Sequence, residues 1–176
     1  MKSQQPEIAL ADKRLAAACG LFCGACTFFI GSTEEPERLK TLSERFKRKP
    51  EEMTCYGCRS DKRTFYCENN CKMTKCTTEK GLDFCGECPE YPCQELKAFQ
   101  SQMPHRLELW QAHQRIKEAG YETWYKEMVE HYSCSKCHTI NSAYDIQCRK
   151  CETEPSCDYV MEHRTEIESQ LLRMKV

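Results

Sequence analysis

No stretch of the chain approaches the roughly 18 consecutive apolar residues of a membrane-spanning helix, so nothing in it is expected to cross a bilayer. Neither sign of charge dominates: 26 Lys and Arg face 27 Asp and Glu, and the net charge of −1 excludes a global attraction to nucleic acid or anionic lipid. Glycine is scarce, at seven in 176 residues. A Gly-rich phosphate loop, a His-Glu-x2-His motif, a nucleophile elbow and a convergent carboxylate pair are all missing, so catalysis is not expected. Aliphatic and aromatic residues are also thin. Hydrophobic residues make up 40% of the chain, but nearly a quarter of them are its 16 cysteines. The ordinary core is therefore small for the length, and cross-links or metal ions must help to hold the fold.

Compartment decides between the two. Met1–Pro6 leads into Ile8–Leu15, where Asp12, Lys13 and Arg14 interrupt the apolar run that a signal peptide requires. Ala16-Ala17-Ala18-Cys19 looks like a lipoprotein cleavage box, but no apolar stretch precedes it. The expectation is a cytoplasmic protein, in whose reducing surroundings closely spaced cysteines serve as metal ligands rather than disulfide partners.

Eleven cysteines lie between Cys19 and Cys93, none between 94 and 133, and five between Cys134 and Cys157. The gap is rich in helix signals: Leu96, Phe99 and Met103, then Leu109 and Ile116 up to a stop at Gly120, then Tyr121, Trp124, Tyr125, Met128 and Tyr132. A further helix is expected at about 34–48, with Ser32 and Glu35 as a capping box and Pro36 in its first turn. Another closes the chain, capped by Asp158, with Val160, Ile167, Leu171 and Met174 on one stripe. The expected fold is small, metal-stabilised and mainly α with irregular cysteine-rich loops, ending in a C-terminal zinc ribbon with short β hairpins. It divides into a multi-cysteine metal-binding domain at 1–103, a helical connector at 104–131, a zinc ribbon at 132–157 and a C-terminal helix at 158–176.

The first cysteine group reads Cys19-Gly-Leu-Phe-Cys23-Gly-Ala-Cys26, Cys55-Tyr-Gly-Cys58, Cys67-x3-Cys71-x4-Cys76 and Cys85-Gly-Glu-Cys88-x4-Cys93. Two residues between thiolates let one tight turn present both sulfurs to a metal, and tetrahedral zinc commonly takes two ligands from each of two such turns. Gly24, Gly57 and Gly86 lie inside these turns, where positive φ would aim backbone N–H groups at sulfur. The expected ligands are Cys19, Cys23, Cys26, Cys55, Cys58, Cys71, Cys76, Cys85, Cys88 and Cys93. Cys23 and Cys26 pair with Cys55 and Cys58, because both turns flank the 34–48 helix; Cys71, Cys76, Cys85, Cys88 and Cys93 supply a second site. Eleven cysteines fill two sites of four with three left over, and a third site needs a histidine, for which His105 is the candidate, or an outside ligand. Cys19-x3-Cys23-x2-Cys26 also matches the cluster loop of radical S-adenosylmethionine enzymes, but the βα alternation of their barrel is missing and Ala25 stands where they carry an aromatic. A plain iron–sulfur protein remains open, since four cysteines serve such clusters equally well.

The series Cys19-Gly-Leu-x-Cys-x2-Cys, Cys55-x-Gly-Cys-Arg-Ser, Cys67 to Cys76, Lys80-Gly and Cys85-x2-Cys-x-Glu-Tyr-Pro-Cys93 resembles a small cysteine-rich prokaryotic domain of unknown function over about residues 17–100. The resemblance implies metal binding and no agreed activity. The family spaces the first two cysteines of the third cluster by two residues, so Cys67 falls outside the ligand set it implies.

The second group, Tyr132-Ser-Cys134-x2-Cys137-x3-Asn141-x6-Cys148-x2-Cys151, has two Cys-x2-Cys knuckles ten residues apart, a complete set of four zinc ligands. It is similar to the Ran-binding-protein type of zinc finger, including Asn141, with Tyr132 in place of that family's tryptophan. The Thr-Phe pair that reads ubiquitin in that family is replaced by His138-Thr139-Ile140, and the arginines that read RNA there are not matched by the balanced charge of 132–157. Cys157 is left over. The most basic stretch, 38–63, carries nine Lys and Arg against four Asp and Glu and reads as a solvated helix end or a nucleic-acid contact. Trp110 and Trp124 read as core. The leading expectation is a zinc protein with about three ions in structural sites, acting as an interaction or regulatory module with a protein partner. An iron–sulfur redox protein and a nucleic-acid-binding protein are the alternatives.

Overall fold

The computed structural model describes residues 10–174. The signal-peptide reading of Met1–Pro6 and Ile8 therefore lies outside the described residues, as does the far end of the 158–176 segment. Ten α-helices follow one another among the described residues: α1 (Thr27–Thr33), α2 (Pro36–Phe46), α3 (Pro50–Met53), α4 (Phe65–Asn69), α5 (Lys72–Lys80), α6 (Gln94–Gln100), α7 (Leu109–Ala119), α8 (Tyr121–His131), α9 (Asp158–Glu162) and α10 (Arg164–Met174). All are short, none longer than 11 residues. None is long and apolar enough to cross a membrane.

Local chemistry sets their ends. Pro36 begins α2, where its missing N–H costs nothing, and Lys47 closes it in the left-handed region at φ 51°. The Ser32–Glu35 capping box does not form: Ser32 lies inside α1, donates to the Phe28 carbonyl and accepts from the Cys55 N–H. The helix expected at 34–48 is thus bounded by a separate α1, since a turn at Glu34 and Glu35 separates the two. In α7, Leu109, Ala112, His113 and Ile116 form the buried stripe at i, i+3, i+4 and i+7. Gly120 at φ 82° turns the chain directly into α8, which packs back with Trp124 and Tyr125 buried. The closing helix is two helices, broken at His163, and Asp158 is the first residue of α9 while Cys157 is its cap.

Two apolar clusters form the core. The larger joins Leu15, Phe22 and Phe84 to Ala112, Ile116, Trp124, Tyr125, Tyr132, Tyr159, Val160 and Ile167. Phe22, from the first cysteine turn, sits at its centre with ring centroids 5.3 Å from Tyr125, 6.0 Å from Tyr132 and 6.3 Å from Trp124. The smaller holds Ala17, Cys19, Met73, Leu96, Phe99 and Leu109 beneath the N-terminal cysteines. Both cysteine-rich segments therefore share one core with the helices between them.

The expected β hairpins at 132–157 are absent. The described residues contain no β-strand, and extended pairing there is confined to the isolated bridges Ala16↔Phe22 and Ser133↔Ile140. The segment is thus not a zinc ribbon, and the likeness to the Ran-binding-protein finger does not extend to its fold. The backbone explains why a ladder does not grow. Each knuckle closes on itself within six residues, and beyond Ile140 the chain turns at Ser142, whose N–H is taken by the Asp145 carboxylate. Beyond Thr153, Pro155 offers no N–H to a neighbour.

Candidate metal centre

The two knuckles of the C-terminal loop are built alike, Cys134-Ser-Lys-Cys137-His138-Thr139 and Cys148-Arg-Lys-Cys151-Glu152-Thr153. In each, the first cysteine N–H donates to the threonine carbonyl, at 2.9 Å and 2.8 Å, and its carbonyl accepts from the residue after the second cysteine, at 2.9 Å in both. That residue takes the left-handed conformation, His138 at φ 56° and Glu152 at φ 57°. This strain-prone geometry at two non-glycine positions folds both sulfurs of a knuckle to one side. The threonine hydroxyls lie 3.3 Å from Cys137 Sγ and 3.2 Å from Cys151 Sγ. Those contacts lower both thiols, Cys151 to about 6, the Thr153 hydroxyl acting most strongly and its backbone N–H next.

The four sulfurs of Cys134, Cys137, Cys148 and Cys151 all lie within 4.8 Å of one another. Cys134 and Cys151 are 3.5 Å apart and Cys137 and Cys148 are 3.6 Å apart, far too long for a disulfide. A tetrahedral ion with about 2.3 Å bonds to sulfur would hold its ligands roughly 3.8 Å apart, so the residues fit a single metal ion. The Lys136 N–H points at Cys134 Sγ from 3.4 Å. Asn141, fully buried, is the hub: its amide nitrogen donates to the Thr139 carbonyl at 2.9 Å and the Ser156 carbonyl at 3.1 Å and faces Cys148 Sγ at 3.7 Å. Its oxygen accepts from the Arg149 N–H at 3.0 Å. The leftover Cys157 is a buried core residue, contacted by the Ser156 hydroxyl.

The N-terminal cysteines are gathered less tightly. Among the described residues no three of them have sulfurs within 4.8 Å of one another. They do form neighbourhoods. Burial raises the Cys23 thiol, and the nearby Cys58, Cys26 and Cys55 raise it further. Burial pushes Cys85 up to about 12, with Cys93, Cys76, Cys71 and Cys88 around it. Cys58 and Cys71 flank the Thr74 hydroxyl at 3.4 Å and 3.3 Å, and Cys19, deeply buried, feels Cys58, Cys71 and Cys85. The Lys80 ammonium donates to Cys88 Sγ at 3.3 Å. Cys67, which the spacing left aside, also sits among them: burial pushes it up to about 12 against a hydrogen bond from Thr64, with Cys26 and Cys55 beside it. Buried thiols so close together cannot all ionise without a compensating cation.

Two histidines separate here. His105, the candidate twelfth ligand, spends both ring nitrogens elsewhere, Nδ1 on the Tyr144 hydroxyl at 2.6 Å and Nε2 as acceptor from Arg106 at 3.2 Å. His113 is the histidine wedged between two cysteine turns. It is buried, both ring nitrogens have no hydrogen-bond partner, and burial pushes it down to about 4. A Cβ on Gly86 would stand 2.9 Å from its Nδ1, and one on Gly20 3.1 Å from its Nε2. Gly86 is therefore required by this close approach and not by positive φ; of the three glycines expected to need positive φ, only Gly57 adopts it, at 110°.

A second close group of possible metal ligands lies apart from sulfur, in Glu108, His131 and Glu162. No spacing motif announces it, since its members come from three separate helical elements. In the basic stretch 38–63, Lys40, Arg45, Lys47, Arg48 and Lys49 are exposed, while Arg38 and Arg59 are tied to other parts of the chain. Arg38 forks onto Asp145 at 3.0 Å and reaches Glu35 at 2.6 Å, Arg59 donates to the Ala16 carbonyl at 2.9 Å, and Arg48 lies 3.9 Å above the Phe65 ring.

Residues 15–98 match a family described as "Protein of unknown function (DUF3795)", a stretch that contains all eleven N-terminal cysteines. No curated protein matches the chain, and no solved structure does.

Proposed function

We propose that the chain is a zinc-binding module whose cysteine-ligated ions are structural and whose role is to present a surface to a protein partner, without catalysis. The convergence of four sulfurs in Cys134, Cys137, Cys148 and Cys151 carries this reading. Four protein ligands complete a tetrahedron and leave no position open for substrate, which is the arrangement of structural zinc. The thin core supports it further. A structural zinc contributes about 10–16 kcal/mol of apparent binding energy, comparable with the whole stability of a typical domain, about 5–15 kcal/mol. In the N-terminal half, Cys23, Cys26, Cys55 and Cys58 with Cys67 nearby, and Cys71, Cys76, Cys85, Cys88 and Cys93, are the ligand pools for further ions.

A second reading rests on a different observation. The N-terminal sulfurs stand further apart than one ion requires, and an iron–sulfur cluster, being several ångströms across, takes more widely spaced thiolates than a single ion does. Elemental analysis of anaerobically purified protein, with a visible spectrum, separates the two. Zinc at about three per chain and no colour supports the first reading; iron with acid-labile sulfide and absorption near 400 nm transfers the N-terminal half to redox chemistry. Absence of any metal would contradict both.

A further inference from the structure

Glu108, His131, Glu162 and His163 come together where three helical elements meet. Glu108 caps the start of α7, His131 is the last residue of α8, Glu162 ends α9 and His163 links α9 to α10. One Glu108 oxygen lies 3.0 Å from His131 Nε2 and 2.7 Å from His163 Nε2. The ligand atoms of Glu108, His131 and Glu162 lie within 4.8 Å of one another. Tyr159 holds both imidazoles: its ring lies edge-on to His131 at 5.6 Å and 4.7 Å from His163. Tyr159 is itself fixed, stacked on Tyr132 at 4.8 Å and donating its hydroxyl to the Pro104 carbonyl at 2.5 Å. The side chains of His131, His163 and Glu108 are 17%, 20% and 20% exposed, and Glu162 is exposed at the edge of the group.

We propose that these two imidazoles and two carboxylates bind one divalent first-row transition ion, in a sulfur-free site distinct from the cysteine centres. Imidazole with carboxylate suits zinc, iron(II), nickel and their neighbours. Four such ligands at about 2.0–2.2 Å from an ion would stand roughly 3.3 Å apart. The 3.0 Å and 2.7 Å from Glu108 to the two imidazoles need a small opening, while His163, which lies outside the group of three within 4.8 Å, would have to draw closer to His131 and Glu162 to complete the set. Two carboxylates in one cluster bring negative charge that a divalent cation can cancel. The ion would also clip the loop that carries the cysteine knuckles, since His131 immediately precedes it and Glu162 and His163 follow it.

Cobalt(II) added to the full-length protein, purified with its own metal and freed of loose ions, tests this. The expected result is one further cobalt per chain, with visible d–d bands and no new sulfur-to-cobalt charge-transfer band, which marks cobalt taken up by thiolates. His131→Gln and His163→Gln keep a hydrogen-bond donor facing Glu108 but remove the imidazole. Each is expected to bind that cobalt at least tenfold more weakly while keeping its cysteine-bound metal. Glu162→Gln, at an exposed position, should weaken it without disturbing the fold. Wild-type protein that shows no sulfur-free cobalt spectrum overturns the proposal whatever the variants do. So do folded glutamine variants that bind cobalt as tightly as the wild type, because a hydrogen-bonded staple alone would survive the substitution.

Discussion

Asn141 connects the two knuckles through one side chain, with partners on Thr139, Ser156, Cys148 and Arg149. Asn141→Ala would take the partner from the Ser156 carbonyl and from the Arg149 N–H around a fully buried side chain, while the Thr139 carbonyl keeps the Cys134 N–H. The expected loss is about 1–3 kcal/mol, read as a lower urea midpoint in metal-loaded protein, with the metal content unchanged. The convergence of these four sulfurs was legible from sequence: Cys-x2-Cys spacing picks out Cys134, Cys137, Cys148 and Cys151 because two intervening residues are what a sulfur-bearing turn needs. The threonine and left-handed residue that complete each knuckle were there to be read as a repeat, Cys-x2-Cys-x-Thr. His113 and Glu108 carry no such signal. Their neighbours come from distant parts of the chain, and only packing brings Gly20 and Gly86 against one imidazole.

Helix α2 docks on the C-terminal loop through charge. Arg38 pairs with Asp145 and Glu35, and Arg149 reaches back to Glu34 and Glu35. Arg38 and Asp145 are only 18% and 15% exposed, so solvent screens this pair less than a surface bridge. A double-mutant cycle of Arg38→Ala and Asp145→Ala should give a coupling energy of about 1–3 kcal/mol; a value near zero would mean that the contact only fills space. Helical periodicity located most of the helices between Leu96 and Tyr132, where apolar residues recur without interruption. It was least informative around cysteine turns. There the 34–48 segment proved to be bounded by a separate α1, and the knuckles satisfied their backbone within tight turns instead of a β ladder.

Across the molecule, the cysteine-rich halves are held by one core, with Phe22 from the first cysteine turn seated among Trp124, Tyr125 and Tyr132. Phe22→Ala should destabilise the protein by about 3–5 kcal/mol, and fluorescence of the buried Trp124 and far-UV circular dichroism should report its unfolding together. Separate transitions would indicate that the halves stand independently. The sequence predicted cysteine-rich loops joined by helices but not this shared core, because a lone Phe between two cysteines has no periodicity to betray what it packs against. If the proposed zinc ions are structural, metal–sulfur bonds replace the apolar core that the composition cannot supply. The most direct test is far-UV circular dichroism of the full chain during titration with a strong chelator under reducing conditions, with metal release followed in parallel. Helicity is expected to fall in step with released metal and to return when metal is restored. Unchanged helicity after complete metal removal would contradict it.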